Sequence, residues 1–190
     1  MDTKSLLIRG TTVDAARRFL HQHQGNPEWG AFMAALSADQ RHLMEGAVKP
    51  KGWYVVADYG AVVELAAQHL APQSKEPFAM DLGRFVMEDG VNSLYKVFFR
   101  IASPSFVVRL SALFWFQFYK GSRLQVVGRG KRWVHGVIRD APYCAIDLCN
   151  SIKGAMMAAL DHAGAKAVKV DGHTCQSAGA GPCEFRLSWS

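Results

Sequence analysis

Hydrophobic residues follow a helical period before residue 121 and a strand period after it. In about six segments of the first part, apolar residues recur every three or four positions, which places them on one face of an α-helix. Beyond Gly121, apolar residues occupy every second position in short runs, as in half-buried β-strands. The pattern therefore predicts a series of helices followed by pairs of strands.

Capping residues set the ends of several predicted helices. Asn26-Pro27 is expected to begin the second helix, with asparagine as the cap and proline in the first turn. Ser37-Ala-Asp-Gln40 is a capping box, with a serine followed three residues later by glutamine, and it begins a short third helix. A longer helix is expected from Trp53-Tyr54 to about Leu70. Ser103 and Pro104 begin a helix that the apolar pattern extends to Phe118.

Two hairpins and a helix make up the rest of the chain. Residues 121–139 form the first predicted hairpin, with glycines in the turn Gly128-Arg-Gly-Lys131. A helix then ends at His162, and residues 165–189 form the second hairpin. Helices and strand pairs grouped in this way are typical of the α+β class. We therefore expect N-terminal helices packed on a four-stranded antiparallel sheet that is made of the two hairpins.

Composition and length limit the class of protein. The chain has 190 residues, of which 49% are hydrophobic and 20% charged, as in a globular protein. We expect one domain over residues 1–190, with residues 1–48 as its N-terminal helical part. The apolar run at the N-terminus is too short for a signal peptide. The aromatic stretch Phe98 to Tyr119 is interrupted by charges and by Pro104, so we expect no transmembrane segment and a cytoplasmic location.

Charge and motif spacing argue against a nucleic-acid-binding protein and against an enzyme. The formal net charge of +6 is accompanied by no nucleic-acid-binding motif, so nucleic acid is not an expected partner. No Ser–His–Asp or paired-carboxylate spacing is visible. Ser93-Leu-Tyr-Lys96 matches the Ser-x-x-Lys pattern of acyl-serine enzymes without the partner motifs. We therefore expect a protein that is not an enzyme.

The last elements and a cysteine motif resemble a known superfamily. An amphipathic helix, a strand, the segment Cys175-Gln-Ser-Ala-Gly-Ala-Gly-Pro-Cys183 and a final strand resemble the vinyl-4-reductase-type domain. That domain shares its fold with TRAPP vesicle-tethering subunits and is related to the haem nitric-oxide-binding fold. The resemblance implies a sensory module that holds a small apolar ligand or lipid between helices and sheet, as a homodimer. It also implies two alternatives: a TRAPP-type interaction and dimerisation module, and a tetrapyrrole-related enzyme by fold analogy.

Other landmarks resemble a large bacterial paralogous family of uncharacterised proteins. They are spread over nearly the whole chain: Gly52-Trp53-Tyr54, Leu82-Gly83-Arg84-Phe85, Ser103-Pro104-Ser105-Phe106, Cys149-Asn-Ser-Ile-Lys-Gly154 and Cys183-Glu-Phe-Arg-Leu-Ser-Trp189. This closer resemblance implies a fold and no specific activity.

The resemblance to vinyl-4-reductase-type sensors also implies a metal site. Some of those sensors bind zinc through a helix cysteine and two hairpin cysteines, and Cys149, Cys175 and Cys183 stand at the matching positions. The family's glutamate ligand is replaced by glycine here, so His173, or alternatively Asp171, is the expected fourth ligand. Two other interpretations stay open. The cysteines are buried thiols, as free cysteines often are, or Cys175 and Cys183 form a disulfide.

A block of aromatic residues is the second candidate site. The superfamily's pockets lie between helices and sheet, and the residues that we expect to line such a pocket are Phe98, Phe99, Phe106, Phe114, Trp115, Phe118 and Tyr119. An ordinary core and a dimer surface are the alternatives, because large apolar residues all round a helix require burial on several sides. Tyr119-Lys-Gly-Ser122-Arg123 resembles the Tyr-x-Ser-x-Arg haem-propionate clamp, but its spacing differs by one residue, so haem is disfavoured as a cofactor.

Overall fold

The computed structural model describes residues 6–90, 103–141, 145–176 and 181–190, with the side chains of residues 172 and 173 left out. The apolar spacing of residues 91–101 also predicts a helix, and this segment lies outside the described ranges. The helices are α1 (Gly10–His21), α2 (Trp29–Ala35), α3 (Ala38–Glu45), α4 (Val56–Leu70), α5 (Lys75–Gly90), α6 (Pro104–Phe114) and α7 (Ile146–His162). The strands are β1 (Leu7–Arg9), β2 (Trp53–Val55), β3 (Tyr119–Lys120), β4 (Arg123–Gly130), β5 (Trp133–Arg139), β6 (Lys169–Thr174) and β7 (Cys183–Ser188).

The predicted four-stranded sheet is confirmed, and both hairpins contribute to it. Its strand order is β4-β5-β7-β6, and all neighbours are antiparallel. The two hairpins join through β5 and β7, where Trp133 pairs with Ser188 and Ile138 pairs with Cys183. The helix α7 connects the hairpins along the chain. The α+β class is therefore confirmed, with hairpins 121–139 and 165–189 separated by a helix.

A second, smaller sheet was not predicted. The strands β2, β1 and β3 form it, with β1 in the centre. Trp53 was predicted to begin a helix, but the segment Trp53–Val55 is a strand that pairs with Leu7–Arg9. On the other side, Ile8 pairs with Tyr119, at the end of the segment that was predicted as helix up to Phe118. Three short strands from distant parts of the chain show no period of their own, so only their pairing reveals them.

The predicted caps are confirmed at two helices. The Ser37 hydroxyl accepts a hydrogen bond from the backbone N–H of Gln40, and the Gln40 side chain accepts one from the N–H of Ser37. The Ser103 hydroxyl accepts a hydrogen bond from the N–H of Phe106, and Pro104 occupies the first turn of α6. A 3₁₀ turn over Trp115–Gln117 follows α6 and ends the helix earlier than its apolar residues suggest.

The helices α5 and α7 approach each other closely through two glycines. A Cβ atom at Gly83 would lie 1.7 Å from the carbonyl oxygen of Ser151, and one at Gly154 would lie 1.9 Å from that of Met80. Both distances are far below any real carbon–oxygen contact, so only glycine permits this spacing. The buried Tyr59 of α4 also forms a hydrogen bond with Ser151. The contact thus joins the N-terminal helices to the helix that carries Cys149.

Candidate functional site

An apolar cavity lies where α6 and α7 meet the four-stranded sheet. Its volume is about 20 Å³. The lining side chains come from two helices and three strands: Val107, Val108, Ser111, Leu124, Val126, Val134, Gly136, Met156, Ala159, Leu160, Phe185 and Leu187. A space of this size holds about one water-sized molecule, and apolar cavities in proteins stay dry and take up apolar guests.

The sequence explains why this cavity is apolar. Val107, Val108 and Ser111 share one face of α6, since residues three and four apart are neighbours on a helix. The hydroxyl of Ser111 donates a hydrogen bond to the carbonyl oxygen of Val107 at 3.0 Å, so it is satisfied inside the helix. On the sheet side, the absence of a side chain at Gly136 leaves room for the Phe185 ring, which would lie 2.6 Å from a Cβ there.

The aromatic residues predicted to form a pocket are placed differently. Trp115 and Tyr119 are buried, and their rings stack with centroids 4.4 Å apart. Phe106, Phe114 and Phe118 each expose 40% or more of their surface. None of these five lines the described cavity. Phe98 and Phe99 lie outside the described residues, so the predicted pocket stays a prediction.

The sequence reasoning missed the aliphatic residues that line the cavity. It followed the largest side chains of α6, whereas the face towards the sheet consists of small and β-branched ones. The spacing of Val107 and Ser111 was a signal that could have found this face. The strand residues Leu124 and Leu187 could not be joined to it without the sheet register.

The three cysteines that the resemblance grouped as a candidate site lie in contact with one another. The Sγ atom of Cys149 lies 3.1 Å from that of Cys175 and 3.3 Å from that of Cys183, and the two hairpin sulfurs are 3.9 Å apart. All three are buried and free of disulfides. Cys149 is on α7, Cys183 begins β7, and Cys175 directly follows β6. The cluster therefore lies between the helix and one end of the β6–β7 hairpin.

The chemistry of the three cysteines suits two states: a group of buried thiols, or the ligands of one soft metal ion. The three sulfur atoms lie within 4.8 Å of one another, so they could hold a single ion together. The backbone N–H of Gln176 donates to the sulfur of Cys183 at 3.4 Å. The side chain of His173 lies outside the described part of the chain, so its role as a fourth ligand stays a prediction.

Comparison with known proteins identifies the fold. No protein-family model matches this sequence, and no curated protein matches it. The H-NOX protein from S. oneidensis in the Fe(II)NO ligation state aligns with a TM-score of 0.68 at 13% identity, over 96% of this chain and 99% of its own. The Fe(II) unliganded H-NOX protein from K. algicida aligns with a TM-score of 0.68 at 9% identity, over 96% and 97%.

An oxygen-binding H-NOX domain related to soluble guanylate cyclases also aligns, with a TM-score of 0.64 at 11% identity, over 96% of this chain and 95% of its own. At these identities the likeness concerns the fold alone, and the chain has the H-NOX fold.

The predicted membership in the vinyl-4-reductase and TRAPP superfamily is therefore wrong. Solved structures that align over 96% of this chain are H-NOX domains. The resemblance rested on short motifs, chiefly the segment between Cys175 and Cys183, and these do not define how the N-terminal helices are arranged. The resemblance to the large bacterial paralogous family rested on equally short pieces, and no family model supports it.

The cofactor prediction also needs correction. Haem was disfavoured, yet the matched H-NOX structures are described in Fe(II) ligation states, and one of them concerns heme distortion. Haem is thus the cofactor to be considered for a chain with this fold. Zinc receives no support from these comparisons. The error arose from judging haem by one spacing, Tyr119 to Arg123, when the fold had not been identified.

The cavity under α6 does not fit a haem in this conformation. A cavity of about 20 Å³ is far smaller than ligand pockets, which measure about 300–1,000 Å³. Haem iron is held by His, Cys, Met or Tyr side chains, and Met156 is the one described lining residue of these types. Ser122 accepts a hydrogen bond from Trp115 at 3.0 Å, and Arg123 pairs with Asp140 at 3.2 Å. The residues that resemble the clamp therefore already have protein partners.

Proposed function

We propose that this chain is a non-enzymatic sensory module that binds a small apolar ligand between α6 and the four-stranded sheet. The observation that carries the proposal is the apolar cavity under α6, which is lined by Val107, Val108 and Ser111 on the helix side. The H-NOX fold supports it, because matched structures are described as complexes with NO and with oxygen, both of which are small and weakly polar.

The size and lining of the cavity favour a compact guest. About 20 Å³ suits a molecule of one or two heavy atoms, and the lining offers such a molecule no free hydrogen-bonding partner, since the Ser111 hydroxyl is bound to Val107. A larger ligand, haem included, requires α6 to move away from the strands β4 and β5. Binding would then change the position of α6, and this displacement is the output of the proposed sensor.

Methyl NMR of the whole chain tests the small-ligand form of the proposal. Xenon and oxygen, added in turn, are expected to shift the methyl signals of Val107, Leu124 and Leu187 and to leave those of distant residues unchanged. Substitution Ser111→Val puts two methyl groups at the cavity wall and should abolish these shifts. Ser105→Val is the matched control, because Ser105 is on α6 but does not line the cavity. Shifts that persist in Ser111→Val would contradict the proposed site.

Native mass spectrometry of freshly purified protein tests for a larger ligand. An added organic mass identifies an occupant directly, and addition of hemin with observation of the Soret band tests haem as that occupant. A one-to-one Soret complex would assign the module to haem sensing. A bare chain mass, no hemin complex and no gas-induced shifts together would refute ligand sensing at this place.

We also propose that Cys149, Cys175 and Cys183 act together to fasten α7 to the β6–β7 hairpin. The support is their mutual contact inside the core, between elements that are far apart in sequence. The contact would hold the sheet firmly against α7, so that α6 is the element left to respond to a ligand. His173 is a further proposed member of this group.

A further inference from the structure

The middle of the chain is strongly and uniformly basic. Between Asp89 and Asp140 there is no aspartate or glutamate, while nine lysines and arginines occur. The formal excess of +6 for the whole chain therefore arises within this stretch, and the remainder is acidic. The described part of the stretch consists of α6, the 3₁₀ turn, β3 and the β4–β5 hairpin.

The outer face of α6 combines positive charge with large apolar side chains. The inner face, with Val107 and Ser111, contacts the cavity and the sheet. Arg109 and Leu113 are four residues apart on the opposite face, and Leu113 exposes 64% of its surface. The outer face of α6 therefore carries an exposed apolar side chain beside an exposed positive charge, and neither is part of the protein core.

The apolar surface continues beyond the end of the helix. Phe116, in the 3₁₀ turn, exposes 63% of its surface, and Phe118 exposes 47%. Lys120 follows on β3, with its Nζ atom 4.3 Å from the centre of the Trp53 ring. Exposed phenylalanines bordered by lysine and arginine are typical of protein surfaces that enter the boundary between lipid headgroups and acyl chains.

The positive charges here are mostly uncompensated. Arg123 pairs with Asp140, and this pair is highly exposed. Within the described residues, Arg109 and the hairpin turn 129–132, with its Arg129, Lys131 and Arg132, form no ion pair. These side chains are exposed and therefore available to anions.

We propose that Arg109, Leu113, Phe116 and Phe118 form one face together with the turn 129–132, and that this face docks on an anionic phospholipid membrane. The charges would attract acidic headgroups, and Leu113 and Phe116 would enter the interface. An anionic nucleic acid or an acidic protein as partner would account for the positive charges but not for the exposed side chains of Phe116 and Phe118. None of the helices in the described part of the chain has the length and hydrophobicity of a membrane span. The proposed docking is independent of the ligand cavity.

Co-sedimentation of the full chain with vesicles tests this docking. Vesicles of phosphatidylcholine with about 30% phosphatidylserine are expected to bind the protein, and vesicles of phosphatidylcholine alone are not. Binding should weaken as salt screens the charges. The double substitution Lys131→Gln with Arg132→Gln should weaken binding by about twenty-five-fold, at roughly fivefold for each charge. Leu113→Ser with Phe116→Ser should weaken it at least tenfold, since two apolar side chains no longer enter the interface.

Matched variants elsewhere on the surface serve as controls. Ile146→Ser removes another exposed apolar side chain, and Lys51→Gln with Lys166→Gln removes two exposed charges outside the face. Both should bind vesicles as the original chain does, and circular dichroism should show all variants folded.

Three outcomes would overturn the proposal. The first is no binding to anionic vesicles. The second is binding that depends on Lys131 and Arg132 but not on Leu113 and Phe116, which would indicate a general polyanion site. The third is a change from dimer to monomer in the Leu113→Ser, Phe116→Ser variant with unchanged vesicle binding, which would assign the apolar surface to self-association.

Discussion

The contact between α5 and α7 gives the sharpest test of how this fold is built. Gly154 is one of the two glycines at the close approach of these helices, and a Cβ atom there would be 1.9 Å from the carbonyl oxygen of Met80. Substitution Gly154→Ala adds this one atom. To reach even 3.0 Å, the Met80 carbonyl must retreat by about 1.1 Å. The obstacle is backbone, so no side-chain rotation can relieve it.

The size of the effect follows from two opposing contributions. Alanine is favoured over glycine inside a helix by about 1 kcal/mol. Overpacking a well-packed contact costs about 1–3 kcal/mol, and the upper end applies because Gly83 makes a second close contact of the same kind. The helices therefore cannot pivot about one point. We expect a net loss of about 2 kcal/mol in the free energy of unfolding. For a chain of this length that loss lowers the Tm by about 4–8 °C.

Urea denaturation and thermal melting followed by circular dichroism measure this change. Gly60→Ala in α4 is the matched control, because Gly60 is also buried but its new Cβ would lie an ordinary 3.7 Å from Ala145 and Leu148. There the helical preference should dominate, and stability should rise by up to about 1 kcal/mol. A second control is the exposed Gly30→Ala in α2, with nothing within 4 Å.

The decisive result is that Gly154→Ala lowers the free energy of unfolding whereas Gly60→Ala raises it. If Gly154→Ala were as stable as the original chain, the helices would be able to separate at no cost. The close approach of α5 and α7 would then not be a structural requirement, and the reasoning from Gly83 and Gly154 would be refuted. If Gly60→Ala also lost stability, the loss in Gly154→Ala would reflect a general intolerance of alanine at buried helical glycines.

Two further predictions concern buried side chains. Burial raises the pKa of the Tyr59 hydroxyl, while its hydrogen bond with Ser151 acts in the opposite direction. The unfolded chain loses this proton above about pH 10 and the folded one does not, so Tyr59 should make stability fall by about 1.4 kcal/mol per pH unit above that pH. Urea titrations at about pH 9 and 11 should show a smaller fall in Tyr59→Phe. An equal fall would exclude Tyr59 as the cause. Iodoacetamide should label Cys149, Cys175 and Cys183 only after unfolding, because all three are buried, and mass spectrometry of native protein detects any earlier labelling.

Much of the architecture could be predicted because helices and strands depend on the spacing of apolar residues within short segments of the chain. The change from helical to strand spacing at Gly121 located the two hairpins, and the box at Ser37 located the start of α3. The contact among the three cysteines was implied only by the resemblance, which joined a helix face to a hairpin, and their role as a site stays a prediction. That the resemblance named the wrong superfamily did not alter this geometry.

The sequence by itself determined the α+β class, the two hairpins and the basic, acid-free stretch in the middle of the chain. These follow from neighbouring residues, because secondary structure and charge density depend on local spacing. Only the tertiary structure decided the small sheet that joins Ile8 to Tyr119, the contact at Gly154 and the identity of the cavity lining. Each of these depends on segments distant in sequence, whose distances and register are fixed only when the whole core is packed.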